Sequence, residues 1–126
     1  MVKILGIAVA GGFGALSRYG LHAVVSRFAG ESFPWGTLVV NVLGCFLLGL
    51  LAELGQYRYH WSAEWRLIAF TGFMGSFTTF STFALDTGGF MRTHQYGLAL
   101  ANLLAHNVIG VAALLGGLAL ARQFTS

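Results

Sequence analysis

Charge is scarce in this sequence. Asp, Glu, Lys and Arg make up 9% of its 126 residues, against about 25% in soluble domains. Hydrophobic residues make up 56%, and the mean hydropathy is +0.74. A soluble chain this short cannot bury so much apolar surface, so the composition places the protein in a membrane. Cysteine occurs once. Cys45 lies deep in an apolar stretch, with no second thiol for an intrachain disulfide or a cysteine metal cluster, and it reads as a small packing residue. Proline occurs once, at Pro34, in a connection. Acids are as rare: Glu31 and Glu64 lie in connections, and Glu53 and Asp86 toward the ends of apolar stretches. Without a paired carboxylate, a metal-ligand cluster, a phosphate loop or a nucleophile elbow, an enzyme is the least supported class. The seven basic residues are scattered singly, so the net charge of +3 is no footprint for nucleic acid.

What the chain has is apolar length. A membrane-spanning helix needs about 20 apolar residues, and four stretches qualify, at about 4–25, 36–54, 67–90 and 96–121. The fold class is therefore all-α integral membrane, one four-helix membrane domain over residues 1–126, without an internal repeat. Met1-Val2-Lys3 opens as a signal peptide does, but the stretch runs on past Arg18 without a small-residue cleavage site, and it reads as the first span. Trp35, Tyr57, Tyr59, Trp61 and Trp65 fall at the ends of stretches, as an interfacial belt does. Four spans put both termini on one side, with Lys3, Arg58, Arg66 and Arg122. Arg27 and Arg92 lie opposite, joined by Arg18 if it snorkels that way. So slight a bias permits insertion both ways up and an antiparallel homodimer. Four helices are also few for a solute path, and small chains build such paths by pairing. Gly6, Ala10 and Gly14, four residues apart, form a small-residue face for close helix contact.

Polar groups sit inside these stretches, where only other protein or a wet cavity can satisfy them. Arg18 is the one strong charge well inside a span. Burying it costs at least ~2.5 kcal/mol unless it pairs or snorkels, and it reads either as a cap on backbone carbonyls or as an attractor for anions at a vestibule. Asn41, with Thr37 four residues before it, is helix-packing glue or a donor lining a pore. The run Gly72–Phe83 holds two glycines, three threonines and two serines, which weaken a helix and satisfy a break in it; carbonyls freed at a break are hard ligands for a bare cation. Phe70, Phe73, Phe77, Phe80 and Phe83 follow helical spacing along one face. They are core or lipid contacts, or they turn partly positive ring edges toward a small anion. On the last span Asn102, His106 and Gly110 recur every four residues, and His106 is a proton relay or a neutral packing residue.

Taken together these residues resemble the Fluc family of fluoride channels, also called CrcB. The likeness spans the whole chain and rests on three motifs in order: Gly11-Gly12-x-Gly14-Ala15-x-x-Arg18-Tyr19, then Gly36-Thr37-Leu38-Val39-Val40-Asn41, then Gly72-Phe73-x-Gly75-x-x-Thr78-Thr79-Phe80-Ser81-Thr82-Phe83. The resemblance implies an antiparallel, dual-topology homodimer in the cell (inner) membrane of a prokaryote, with the third helix broken near the midplane. It implies two pores that pass F⁻ passively and selectively and so confer fluoride resistance. Phe80 and Phe83 match the pore phenylalanines, Asn41 the pore asparagine, and Arg18 an arginine near the vestibule. The backbone carbonyls of Gly75 and Thr78 match those that hold a structural Na⁺ at the dimer centre. Thr79 and Ser81 add hydroxyls. On the fourth span Asn102 and His106 stand where members can carry Tyr and Ser; both hydrogen-bond, and the readings open for His106 are a neutral ring that donates to F⁻ or a charged one that traps it and makes conduction pH-dependent.

Two rivals belong to other classes. A proton-coupled exporter of bulky cations needs a carboxylate in the first span, and the first acid here is Glu31. A purely structural membrane subunit accounts for the glycines and the phenylalanines, but not for hydroxyls gathered at a weakened helix.

Overall fold

The apolar stretches become four helices in the computed structural model, which describes residues 1–125: α1 Val2–Ala29, α2 Trp35–Arg58, α3 Ala63–Arg92 and α4 Tyr96–Thr125, each long and apolar enough to cross a membrane. They outrun the predicted spans by up to a turn because aromatic and charged residues at the ends continue a helix without belonging to the hydrocarbon core. Gly30, at φ 82°, ends α1 in a backbone conformation that suits glycine. Ser62 caps α3 by accepting from the Trp65 N–H at 3.3 Å.

Two close pairings build the bundle. The small-residue face of α1 packs against the first half of α3: a Cβ on Gly14 would strike the Phe73 carbonyl, and one on Gly72 would lie 3.1 Å from the Ile7 carbonyl and the Ala10 side chain. Reciprocally, a Cβ on Gly49 of α2 would strike the Leu114 carbonyl of α4, and one on Gly117 the Phe46 carbonyl. Backbones approach this closely only where the side chain is missing. Val40, Met74 and Phe77 form the buried centre, with Leu47, Leu48 and Phe73 around it. Large apolar side chains such as Ile4, Phe13 and Leu16 stay exposed, which suits lipid contact. At one end Arg122 Nε meets Glu53 Oε2 at 3.2 Å, joining the last turns of α4 and α2.

Within α3 the backbone leaves the helical region at Thr78 (φ −85°, ψ 156°) and Thr79 (φ −148°, ψ 107°), between residues 63–77 and Phe80–Arg92. This corrects the single phenylalanine face expected from the spacing, since two extended residues reset the helical phase. Phe73 and Phe77 stack at 5.7 Å in the first half, while Phe80 and Phe83 form a separate edge-to-face pair at 5.4 Å in the second. Wider i→i+5 turns occur at Ala52–Arg58 in α2, Leu67–Met74 in α3 and Ala105–Ile109 in α4. Such turns are found often at functional sites, and the one in α4 contains His106.

Candidate functional site

Two extended residues in α3 release backbone groups, and side chains from three helices meet them. Asn41 of α2 takes the largest share. Its Nδ2 donates to the Thr79 carbonyl at 3.0 Å, and its Oδ1 accepts from the Thr79 N–H at 2.8 Å. An amide has two N–H donors, so one remains for another acceptor. Thr79 then starts the second half of α3, its Oγ1 accepting from the Thr82 N–H at 3.2 Å and donating to Thr82 Oγ1 at 3.0 Å. From α1, Arg18 Nε donates to the Ser76 carbonyl at 3.1 Å. That carbonyl would receive the Phe80 N–H in a continuous helix. Gly75 and Thr78 carbonyls lose their helical donors for the same reason: the Thr79 N–H goes to Asn41 and the Thr82 N–H to Thr79 Oγ1. Oxygens without a helical donor are the hard ligands a bare monovalent cation takes, so this pair fits the Na⁺ that the resemblance implies.

A cavity of about 470 Å³ opens beside the interruption, lined among others by Asn41, Gly75, Thr79, Phe80, Phe83 and His106. Thr78 lines it too. Seven of the ten residues that the resemblance assigns to pore, vestibule or cation therefore meet on one surface, drawn from α2, both halves of α3, and α4. Their exposures differ: Phe83 is 6% exposed within one subunit and Phe80 78%. His106 packs its ring on Phe83, with centroids 4.2 Å apart and planes tilted by 37°. Its Nδ1 lies 3.1 Å from the Asn102 carbonyl, and its Nε2 is buried without a hydrogen-bond partner among the described residues.

Three of the sequence-derived residues lie elsewhere. Asn102 is fully buried behind the wall of the cavity. Its Nδ2 donates to Thr87 Oγ1 at 3.0 Å, and that hydroxyl donates to the Phe83 carbonyl at 2.9 Å. The amide thus ties α4 to the helix that carries Phe83. Ser81 is exposed, its hydroxyl 3.3 Å from Thr79 Oγ1. Arg18 lines a second cavity, of about 320 Å³, with His22, Thr37, Thr79 and Thr82. Its Nε caps a carbonyl, while a guanidinium has four further N–H donors, so the two readings of Arg18 are compatible.

A third region brings together Thr37 and Asp86, which the sequence reading names separately. His22, Thr37 and Asp86 line a cavity of about 440 Å³, and Thr37 Oγ1 and Asp86 Oδ2 are buried without hydrogen-bond partners among the described residues. The signal was present: Asp86 stands three residues after Phe83, and Thr37 four before Asn41, each on the face of a residue already chosen. Among the described residues no group of His, Cys, Asp and Glu is arranged to hold a metal ion.

The fold and this site define a multi-pass helical membrane protein with polar groups concentrated at one interrupted span. The family model described as "CrcB-like protein, Camphor Resistance (CrcB)" matches residues 5–118. The chain belongs to the CrcB family. It is 51% identical over 123 residues to the "Fluoride-specific ion channel FluC" of Solidesulfovibrio magneticus, covering 97% of this chain and 98% of that one. A protein of the same name from Nitrosococcus oceani is 49% identical over 109 residues, 86% of this chain and 87% of its own. Another from Maridesulfovibrio salexigens is 40% identical over 126 residues, the full length of both. The family is one of channels, and the chain is not an enzyme.

Proposed function

We propose that the protein is a passive, fluoride-selective channel that lets cytoplasmic F⁻ leave the cell across the inner membrane of a prokaryote. The observation that carries the reading is the meeting of Asn41, Thr79, Phe80 and Phe83 on one cavity at the interruption in α3. It is supported by relatives whose printed name is fluoride-specific ion channel. Fluoride is small and holds its water tightly, so a path for it must return donors at each step. Conduction also requires that no single site hold the ion too strongly. The free N–H of Asn41, the Ser81 hydroxyl, and the positive edges of Phe80 and Phe83 are several weak donors of that kind, and the Thr79 hydroxyl joins them when it turns from Thr82 Oγ1. No anionic side chain of the described residues lines this cavity.

In this reading the working unit is an antiparallel, dual-topology homodimer with two pores, and the interruption in α3 lies near the membrane midplane. The exposed ring of Phe80 and the open side of the cavity suit cover by a second copy. The Gly75 and Thr78 carbonyls of both copies would hold Na⁺ at the dimer centre, which supplies fixed positive potential beside the anion path. Arg18 adds charge at the second cavity, and Asn102, through Thr87, sets the position of Phe83. Export follows from acid trapping: HF crosses the bilayer, dissociates inside, and F⁻ exits through the channel.

Expression in a bacterium stripped of its own fluoride exporter tests this in cells. Growth should return at fluoride concentrations that stop the parent strain, and Asn41→Asp, made at equal membrane abundance, should not restore it. No gain in tolerance from protein present in the membrane would contradict the assignment.

A further inference from the structure

We propose that His106 is a proton-dependent fluoride ligand: its Nε2 turns a lone pair toward the ion when the ring is neutral and an N–H when the ring is protonated. Flux through this chain therefore rises on acidification. The inference rests on the channel reading above and concerns a position where the family resemblance breaks down.

The tautomer follows from one hydrogen bond. A backbone carbonyl can only accept, so at 3.1 Å from the Asn102 oxygen Nδ1 is the donor and carries its proton in both charge states. A neutral imidazole has a single N–H, which leaves Nε2 with a lone pair. In this reading donation to F⁻ falls to the protonated ring, because the neutral ring has its one N–H committed to α4 itself. Nε2 is buried and without a partner among the described residues, so no neighbouring donor or acceptor competes for it. Protonation creates a donor there, and an imidazole ordinarily takes its proton near pH 6.5.

Position makes this matter to the ion. The His106 ring lies on Phe83, which meets Phe80 edge to face, and all three line the same cavity. An anion leaving the phenyl edges comes within reach of the imidazole. The groups that face His106 are Asp86 from α3, close enough to act on it electrostatically, and Cys45 and the neutral Asn41 from α2 across the cavity. His22 of α1 acts on Asp86 in turn. Asp86 lines the neighbouring cavity rather than this one, but while it is ionised and His106 is neutral its charge lies behind the wall uncompensated and opposes F⁻. Protonating His106 cancels that charge and adds a charge-assisted donor, roughly twice as strong as a neutral one.

Fluoride efflux from proteoliposomes at about pH 5.5, 6.5 and 7.5 tests the proposal, with protein-free liposomes measuring HF leak at each pH. The wild type should run about tenfold faster at the lowest pH than at the highest, while His106→Gln and His106→Ser should vary by less than about twofold. A flat wild-type profile, or the same slope in both variants, overturns the proposal. Absence of flux at every pH from folded, dimeric protein overturns the channel reading instead, so the two failures are distinguishable. If neither variant folds, nitrogen NMR of histidine-labelled wild type above pH 8 decides the tautomer. A neutral His106 protonated at Nδ1 is expected, and one protonated at Nε2 contradicts the inference.

Discussion

Asn41 holds Thr79 by both sides of its amide, donating to the backbone carbonyl at 3.0 Å and accepting from the backbone N–H at 2.8 Å. The pairing imitates one rung of a β-ladder between two helices and satisfies the residue at which α3 leaves the helical region. Asn41 is thus both the brace of the interruption and, through its second N–H, a donor at the cavity.

Asn41→Asp separates these roles poorly and should fail at both. A carboxylate accepts the Thr79 N–H but cannot donate to the carbonyl, and it sets a charge of the ion's own sign on the path. Fluoride flux should fall by more than about tenfold, and stability by about 1–3 kcal/mol for the orphaned carbonyl. Wild-type efflux from this variant would remove Asn41 from the pore.

Phe80→Ile and Phe83→Ile should both reduce flux strongly, since an aliphatic side chain offers no positive ring edge. Their effects on stability should differ. Phe83 is buried within the subunit and Phe80 is exposed there and open to cover by the second copy, so Phe83→Ile should lower the melting temperature of the subunit fold and Phe80→Ile should weaken the dimer. Unchanged flux in both variants would set the phenylalanine edges aside.

Arg18→Lys keeps the charge and loses the Nε that reaches the Ser76 carbonyl. An arginine acting only as a distant attractor would tolerate the change. A carbonyl cap would not, and the variant should lose about 1–3 kcal/mol by thermal unfolding in detergent, as should Arg18→Leu.

Gly14→Ala places a methyl group against the Phe73 carbonyl, whereas a Cβ at Gly12 meets nothing within 4 Å. The first substitution should destabilise the bundle by about 1–3 kcal/mol and the second should be close to neutral. Equal stability of the two variants would argue against the α1–α3 packing.

Much of this architecture is legible in the sequence because the bilayer imposes a length. Runs of about 20 apolar residues in a chain with so little charge leave few alternatives, and the small-residue spacing of Gly6, Ala10 and Gly14 marks a contact face. Gly75, Thr78, Thr79, Phe80 and Phe83 are close in sequence, so their gathering is legible too. What periodicity cannot give is phase across an interruption: the phenylalanines of α3 keep helical spacing on paper but divide into two pairs. Nor can it give partners across the bundle. Asn41 and Thr79 are 38 residues apart, and the tautomer of His106 depends on a bond inside a widened turn. Thr37 reads only as a neighbour of Asn41, and Asp86 only as an acid near a span end, because nothing in their spacing shows that both share a cavity with buried, partnerless oxygens.

Fluoride efflux from liposomes holding the purified protein, run in parallel with chloride, tests the central claim most directly. The account predicts fast F⁻ release that requires a valinomycin and K⁺ shunt, with negligible Cl⁻ release: a passive and selective channel. No F⁻ release from protein shown to be folded and dimeric would contradict it and leave the polar run of α3 as a packing device.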